Sequence, residues 1–438
     1  MVPDTPSTGD ATRRAFLRGG AGLLTGGLAV FAGCTSALPP LGARQRFGRV
    51  NAPPAEDPIY RRWLPAPAAL DGFDSRHYRV LLRHPTALDY PAPVRFTTPR
   101  KRLLAELDSF GVAYATYDRL IRTPFGTVLQ GGFDPAAVAS TLAASGYRRD
   151  GSYAGGDVFT RSDVRRRAVV TDDAVVWSSR RVHERPNVEA LVDARDGRRP
   201  RYHEESEPFG RVTDAVGESR MVEYVPPTDE RTWASCEGFR FDGDTAYHVR
   251  TFLYPEGETP PEDELRRRSK TGTVLTREVE NTDFRVDGRL VTVEGRIPPA
   301  AGIPPSTVDP PYPPLITWGY TRDGNTLRIR HEAGESVPAD ALHLQFDVDG
   351  VGEQWAEAVR RPLPTEAERL GPGDVVSVDV SDRPEVAVVH SDDVDPDAAN
   401  PYTAGDYRRA TRVDVAFAPG SSSTLGRTLF SVVLEGEP

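Results

Sequence analysis

Lysine is nearly absent from this chain of 438 residues: Lys101 and Lys270 stand against 52 arginines. Cysteine is as rare, with only Cys34 and Cys236, so neither a disulfide framework nor a cysteine-rich metal site can be built. No run of eighteen or more apolar residues follows the first 35 positions, which excludes a helical membrane span beyond them. Asn-x-Ser/Thr sequons are missing, so N-glycosylation is not expected. There is no P-loop and no Gly-x-Ser-x-Gly elbow; Ser421 to Ser423 read as a loop between strands. Basic charge is outnumbered, with 54 Lys and Arg against 64 Asp and Glu and a net charge of −10. That balance argues against a nucleic-acid partner, because neutralising phosphates needs a net basic face.

What is present begins with an address. Residues 12–18 read Thr-Arg-Arg-Ala-Phe-Leu-Arg, followed by a soft apolar stretch from Gly19 to Gly33. A charged start, a short apolar core and a small-residue exit form the grammar of an export signal. Arg13 and Arg14 with Phe16 and Leu17 resemble the twin-arginine export motif, which implies passage through the twin-arginine export machinery. Phe31-Ala32-Gly33-Cys34 resembles a lipoprotein box, with Phe31 in place of the commoner Leu. That resemblance implies lipidation at Cys34 and attachment to the membrane through an N-terminal lipid, on the outer face of the cytoplasmic membrane. The competing reading is an uncut N-terminal anchor. A 15-residue core reaches only about 22 Å at 1.5 Å per residue, short of a ~30 Å hydrocarbon layer. Cleavage before Cys34 leaves 51 basic and 62 acidic groups, a net −11. Arginine over lysine, with abundant acid, resembles proteins of halophilic archaea and follows equally from a GC-rich genome.

Length alone suggests two or three domains. After the signal, 1–33, residues 34–58 show no periodicity and read as a flexible tether. Residues 59–297 alternate helix and strand patterns, an α+β domain. Lys101–Phe110 places Leu103, Leu104, Leu107 and Phe110 on one helical face. Gly126–Phe133 reads as a strand, and Asp134 and Pro135 open a helix carrying Val138 and Leu142 that stops at Gly146. Tyr153–Thr160 and Arg167–Ser178 follow as strands, the second turning at Thr171-Asp172-Asp173; Asn187–Ala194 reads as a helix ended by Gly197. Further on, Tyr247–Tyr254 reads as a strand and Pro261–Arg268 as a helix, with a hairpin of Arg277–Val286 and Arg289–Arg296 turning at Asp287-Gly288. The order strand, helix, strand, strand thus occurs near 126–178 and again near 247–296, the pattern of a duplicated unit.

Residues 298–314 are dense in Pro-Pro pairs and read as an extended linker. From 315 to 438 the pattern is nearly all strand: Leu315–Thr321, Thr326–His331, Leu342–Val348, Val375–Val380, Glu385–His390, Thr411–Phe417 and Thr428–Leu434. Short alternating strands at this spacing argue an all-β sandwich. The stretch from His331 to Leu344 resembles a segment of the β-sandwich heads of haloarchaeal pilin-like proteins. The likeness covers about residues 325–390, without a pilin helix, and implies a surface-exposed sandwich.

Candidates for chemistry are few. His331-Glu332 starts a zincin-like pattern, but position 335 is Glu and the segment reads as strand. His203-Glu204-Glu205 is either an acid/base cluster or an acidic approach to a helix starting at Ser206-Glu207-Pro208. Asp392, Asp393, Asp395 and Asp397 form an acidic loop, the best metal candidate; calcium is the ion such a loop suits, though EF-hand spacing is missing. Cys236 reads as a small buried hydrophobe rather than a nucleophile. The basic runs Arg165–Arg167 and Arg266–Arg268 read as solvated turns or salt-bridge partners. The expectation is a non-enzymatic, lipid-anchored surface protein with a binding or envelope-interaction role and an unnamed ligand or partner. Two alternatives stand beside it: the solute-binding lipoprotein of an uptake system, and an extracellular metal-assisted hydrolase.

Overall fold

The computed structural model describes residues 50–85, 105, 107–162, 166–178, 187–229, 231–242, 245–258, 260–263, 265, 267, 281–297, 313–348, 355–357, 359–389, 406–418 and 427–434. The fold is β-rich, built on large antiparallel sheets. Its first twelve strands are β1 Val80–Arg83, β2 Tyr117–Thr123, β3 Gly126–Gly131, β4 Arg148–Tyr153, β5 Gly156–Thr160, β6 Arg167–Val170, β7 Ala174–Ser178, β8 Met221–Val225, β9 Ala234–Asp242, β10 Thr245–Leu253, β11 Asn281–Asp287 and β12 Leu290–Ile297. They form one sheet in the order β11-β12-β10-β9-β8-β1-β2-β3-β7-β6-β5-β4. The halves meet at the antiparallel pair β1 and β8. On one side β1-β2-β3 is followed by a helix and by strands whose last, β7, returns to pair with β3. On the other, β8-β9-β10 is followed by helical residues at Glu262, Asp263, Leu265 and Arg267, and by a hairpin whose last strand, β12, pairs with β10. The hairpin of β4 and β5 is extra to the first half.

Local chemistry explains the helices. Helix α1, Pro135–Ala144, starts where the Asp134 carboxylate accepts the Ala136 N–H at 3.0 Å, and Gly146 takes φ +78° just past its end. Helix α2 is Val188–Arg195 and the single turn α3 is Tyr202–Glu205. Helix α4, Glu207–Val216, starts with the Ser206 hydroxyl accepting from Phe209 N at 3.4 Å and Pro208 in its first turn. It buries Phe209, Val212 and Val216, spaced to fall on one face. Its last carbonyls, those of Ala215 and Val216, accept from the Arg240 guanidinium at 2.6 and 2.8 Å.

These helices cover one face of the sheet. Val80 and Leu82 of β1, Val222 and Tyr224 of β8, and Cys236 of β9 pack against Tyr60, Trp63, Leu191, Phe209 and Val216. Full burial of each such aliphatic side chain is worth roughly 1.5–3 kcal/mol. Tyr202 stacks between Tyr78 and Phe209 with centroids 4.4 and 4.2 Å away, and Phe209 meets Tyr224 edge-on at 4.8 Å. On the opposite face Val138 and Leu142 of α1 join Leu120, Leu129, Val175 and Trp177.

The remaining strands are β13 Ile316–Asp323, β14 Thr326–Gly334, β15 Val337–Pro338, β16 Leu342–Asp347, β17 Trp355–Glu357, β18 Val359–Pro362, β19 Arg369–Leu370, β20 Val375–Asp379, β21 Glu385–Val389, β22 Asp406–Arg409, β23 Arg412–Phe417 and β24 Arg427–Val433. They pair as β13-β14-β20, β15-β19, β18-β16-β23-β24 and β17-β21-β22 around a core that includes Trp318, Ile329, Phe346, Val386 and Val415. All seven strands read from this stretch are present, each end within three residues of the expected one; β15, β17, β18, β19 and β22 were not expected. Residues Val50–Pro438 form one compact unit.

Three readings need correction. Leu107 to Phe110 are not helical, although Leu107 and Phe110 are buried as the helical face required. Between them Asp108 and Ser109 are bound to Arg166 and Thr317, so tertiary hydrogen bonds replace helical ones. Tyr153 ends β4 instead of opening a strand: Ala154 and Gly155 both take positive φ, +51° and +83°, and form a two-residue turn. The later hairpin turns at Gly288-Arg289, one residue beyond the expected pair, because Asp287 still pairs with Leu290.

Candidate functional site

Cross-strand neighbours share a sheet face. The face of β1, β8, β9 and β10 turned away from α2 and α4 therefore carries a charged band. Leu81 lies opposite Glu223, Glu223 opposite Glu237, and Glu237 opposite Arg250. In the next row Arg83 lies between Met221 and Leu120, and Phe239 lies opposite His248. Apolar clusters bound the band on the same face. One holds Leu120 and Leu129 under α1, and the other holds Phe252, Val291 and Val293 with Leu265.

Two glutamates opposite each other repel unless cations intervene. Arg79 bonds Glu223, while His248 Nε2 and Arg250 Nε lie 3.4 and 3.7 Å from Glu237. Burial pushes the Glu237 carboxyl up, yet the hydrogen bond and charge of His248, with Arg250 and Arg83, outweigh it and leave it at about 2. Arg83 is 6% exposed. Its Nη1 donates to the carbonyls of Leu82 and Val222 at 2.7 and 3.1 Å, while its Nε has no partner. Burial, the largest influence, lowers the Arg83 pKa.

A second polar cluster joins β13 and β14 to the first sheet. Tyr147 donates to Asp108 at 2.6 Å, Trp177 donates to Tyr147 at 2.9 Å, and Arg166 donates to Asp108 and to the Trp318 carbonyl. Beside it the buried Arg161 bonds Glu332 and the Ser145 carbonyl, and Glu332 also pairs with Arg330 at 3.0 Å. Every charge there has an opposite partner, which suits cross-linking of the fold. A shallow depression at Ala154, Gly155, Asp172 and Asp173 is likewise bordered by an arginine, Arg195, already bonded to Asp173 and Asp196.

The residues singled out from sequence scatter. Arg13, Arg14, Phe16, Leu17 and Cys34 lie outside the described residues, as do Asp392, Asp393, Asp395, Asp397 and Ser421–Ser423. His331 is buried in β14 with Nε2 2.9 Å from the Glu335 carbonyl, and Glu332 is held by arginines. Glu204 accepts the Arg201 N–H at 2.9 Å as a cap of α3, and burial followed by the Arg61 charge lowers the His203 pKa. Cys236 is a free, buried thiol raised well above its usual range by burial and then by Glu237. Arg166 and Arg167 are ion-pair partners, the first of them buried instead of solvated. Among the described residues, no three His, Cys, Asp or Glu side chains come together as metal ligands. The charged band escaped sequence reading because its members come from four strands.

Comparison with known proteins adds little. No protein-family model matches the chain, and no curated protein matches it. Two solved structures, crystal forms I and III of TP0453, are similar over 56% and 53% of this chain and 93% of their own. Their sequence identities are 10% and 9% and their TM-scores 0.33 and 0.30, a likeness too slight to carry an argument.

Proposed function

We propose that the chain is a lipid-anchored protein on the outer face of the cytoplasmic membrane, exported folded by the twin-arginine machinery, with a non-catalytic binding role. The observation that carries the location is the order within residues 12–34: the arginine pair, a weakly apolar core, then Cys34. The exported body comprises an α+β part, 59–297, and a β-sandwich, 315–438, joined by the proline-rich segment 298–314. In this reading the first part is a duplicated unit, with β1-β2-β3-β7-β6 and β8-β9-β10-β12-β11 as its two copies. The charged band, lying where the copies meet, supports a binding role; it also favours the second reading, a solute-binding lipoprotein.

The test is fractionation of cells expressing the full chain, with mass spectrometry of its N-terminus. Wild type is expected at the membrane with a lipid-modified Cys34. Cys34→Ser should lose the modification and be released, and Arg13→Lys/Arg14→Lys should stay in the cytoplasm. A double-lysine variant that still reached the surface, or an unmodified Cys34 in membrane-bound protein, overturns the proposal.

A further inference from the structure

Five described arginines are buried, and four have their charge accounted for. Arg61 pairs with Asp214 at 2.7 Å, Arg166 with Asp108 at 2.8 Å and Arg161 with Glu332. Arg240 reaches no carboxylate but donates through all three nitrogens to the carbonyl end of α4 and to Pro53. Arg83 differs. Among the described residues no carboxylate lies within ion-pair reach of it, and its Nε, like those of Arg61 and Arg166, is buried without an acceptor. The two nearby glutamates are already taken, Glu223 by Arg79 and Glu237 by His248 and Arg250.

Burying an unpaired charge costs several kcal/mol, so native proteins supply a counter-ion or avoid the arrangement. Around Arg83 the imbalance is wider than one group. Arg231, in the turn before β9, pairs with no carboxylate among the described residues; its Nη2 bonds the Pro226 carbonyl, and its Nε is buried and unpartnered. Arg231 feels the positive charges of Arg250 and Arg79, and Arg79 in turn acts on Arg83. Arg79, Arg83 and Arg250 thus share Glu223 and Glu237 at the centre of a sheet face in a protein of net charge −10. Evolution toward stability alone would place an apolar side chain at position 83, between Met221 and Leu120.

We propose that this band binds a small oxyanion, a molecule bearing a carboxylate or phosphate group, held by the Arg83 guanidinium beside Arg79. Planar guanidinium groups suit either oxyanion, and partial burial strengthens the bond relative to water. The inference deepens the binding role proposed above, on which it rests, by naming the class of ligand. Its test reads ligand-dependent stability, so a failure of export or lipidation leaves the outcome unchanged.

The experiment is thermal unfolding of the full chain at fixed ionic strength in sodium chloride, titrated with inorganic phosphate, citrate or dihexanoyl phosphatidylglycerol below its micellar concentration. Kosmotropic anions stabilise any protein without saturating, so the signal is the saturable part. Wild type should gain about 3 °C or more, saturating in the millimolar range. Arg83→Met should lose that part while its ligand-free Tm equals or exceeds that of wild type. Arg83→Lys should keep a weakened response, which guards against a misfolded Met variant. Saturation by citrate assigns a carboxylate ligand and by inorganic phosphate a free phosphate; saturation by the lipid at lower concentration than phosphate assigns a headgroup. No saturable response to any probe in wild type, or an undiminished one in Arg83→Met, overturns the proposal.

Discussion

Arg166 Nη1 lies 2.8 Å from Asp108 Oδ2, with both residues more than nine-tenths buried, and the same nitrogen reaches the Trp318 carbonyl at 3.2 Å. One ion pair therefore ties β13 to the edge of β6 and to the segment leading into β2. Ser109 N donates to the Thr317 hydroxyl at 3.0 Å and reinforces the tie.

Breaking that pair on one side strands a buried charge. Asp108→Asn should destabilise by about 3–5 kcal/mol, whereas Asp108→Leu/Arg166→Met should recover most of the loss. The remainder, about 1 kcal/mol for each, is the hydrogen bonds lost by the Trp318 carbonyl and the Tyr147 hydroxyl. Denaturant unfolding of the three proteins decides: a double variant no better than Asp108→Asn would show that the pair contributes more than its own neutralisation.

Glu237 makes stability depend on pH. Its folded carboxyl titrates at about 2, below the ordinary 4.5 it regains on unfolding. The unfolded chain binds the extra proton between those values, so this contribution is fully present above about pH 4.5 and is lost as pH falls toward 2. A shift of that size is worth roughly 3 kcal/mol. Unfolding free energies from pH 6 to pH 2 should fall less steeply for Glu237→Gln than for wild type; parallel curves would refute the assignment.

Gly319 leaves no room for a side chain, because a Cβ would strike the Glu332 carboxylate and the Arg161 guanidinium. Gly319→Ala should therefore push apart a buried pair and cost upward of ~2 kcal/mol. By contrast Gly288, which opens the turn between β11 and β12, has open space around it, and Gly288→Ala should pay only the ~1 kcal/mol of its positive φ. Comparing the two midpoints in one denaturant series checks the ranking.

Cys236 should resist modification in the folded chain, since burial and Glu237 keep its thiol protonated and no solvent reaches it. In a Cys34→Ser background, a thiol reagent should label the native protein at a rate that tracks global unfolding. Labelling that is fast and insensitive to stabilising conditions would mean that β9 opens locally.

Local rules were legible where the sequence carries its own stereochemistry. Asp134-Pro135 with Gly146 bounded α1, Ser206-Glu207-Pro208 opened α4, and Thr171-Asp172-Asp173 turned β6 into β7, because caps and turns are decided by neighbours within four residues. Hydrophobic spacing likewise marked Leu107 and Phe110 for burial even though their segment is not helical. The strand β4 was illegible because none of its six residues is buried, so it lacks the alternation that marks a half-buried strand.

Composition and the first 34 residues by themselves carry the expected destination of this protein, since export and lipidation signals are read as linear sequence. The charged band belongs to tertiary structure alone. Arg83, Glu223, Glu237 and His248 are unremarkable polar residues along the chain, and only antiparallel registers among β1, β8, β9 and β10 set them on one face. Charge acts through space with an energy that grows as water is excluded, so an arginine becomes a binding group only when folding has buried it and given its neighbours' carboxylates to others.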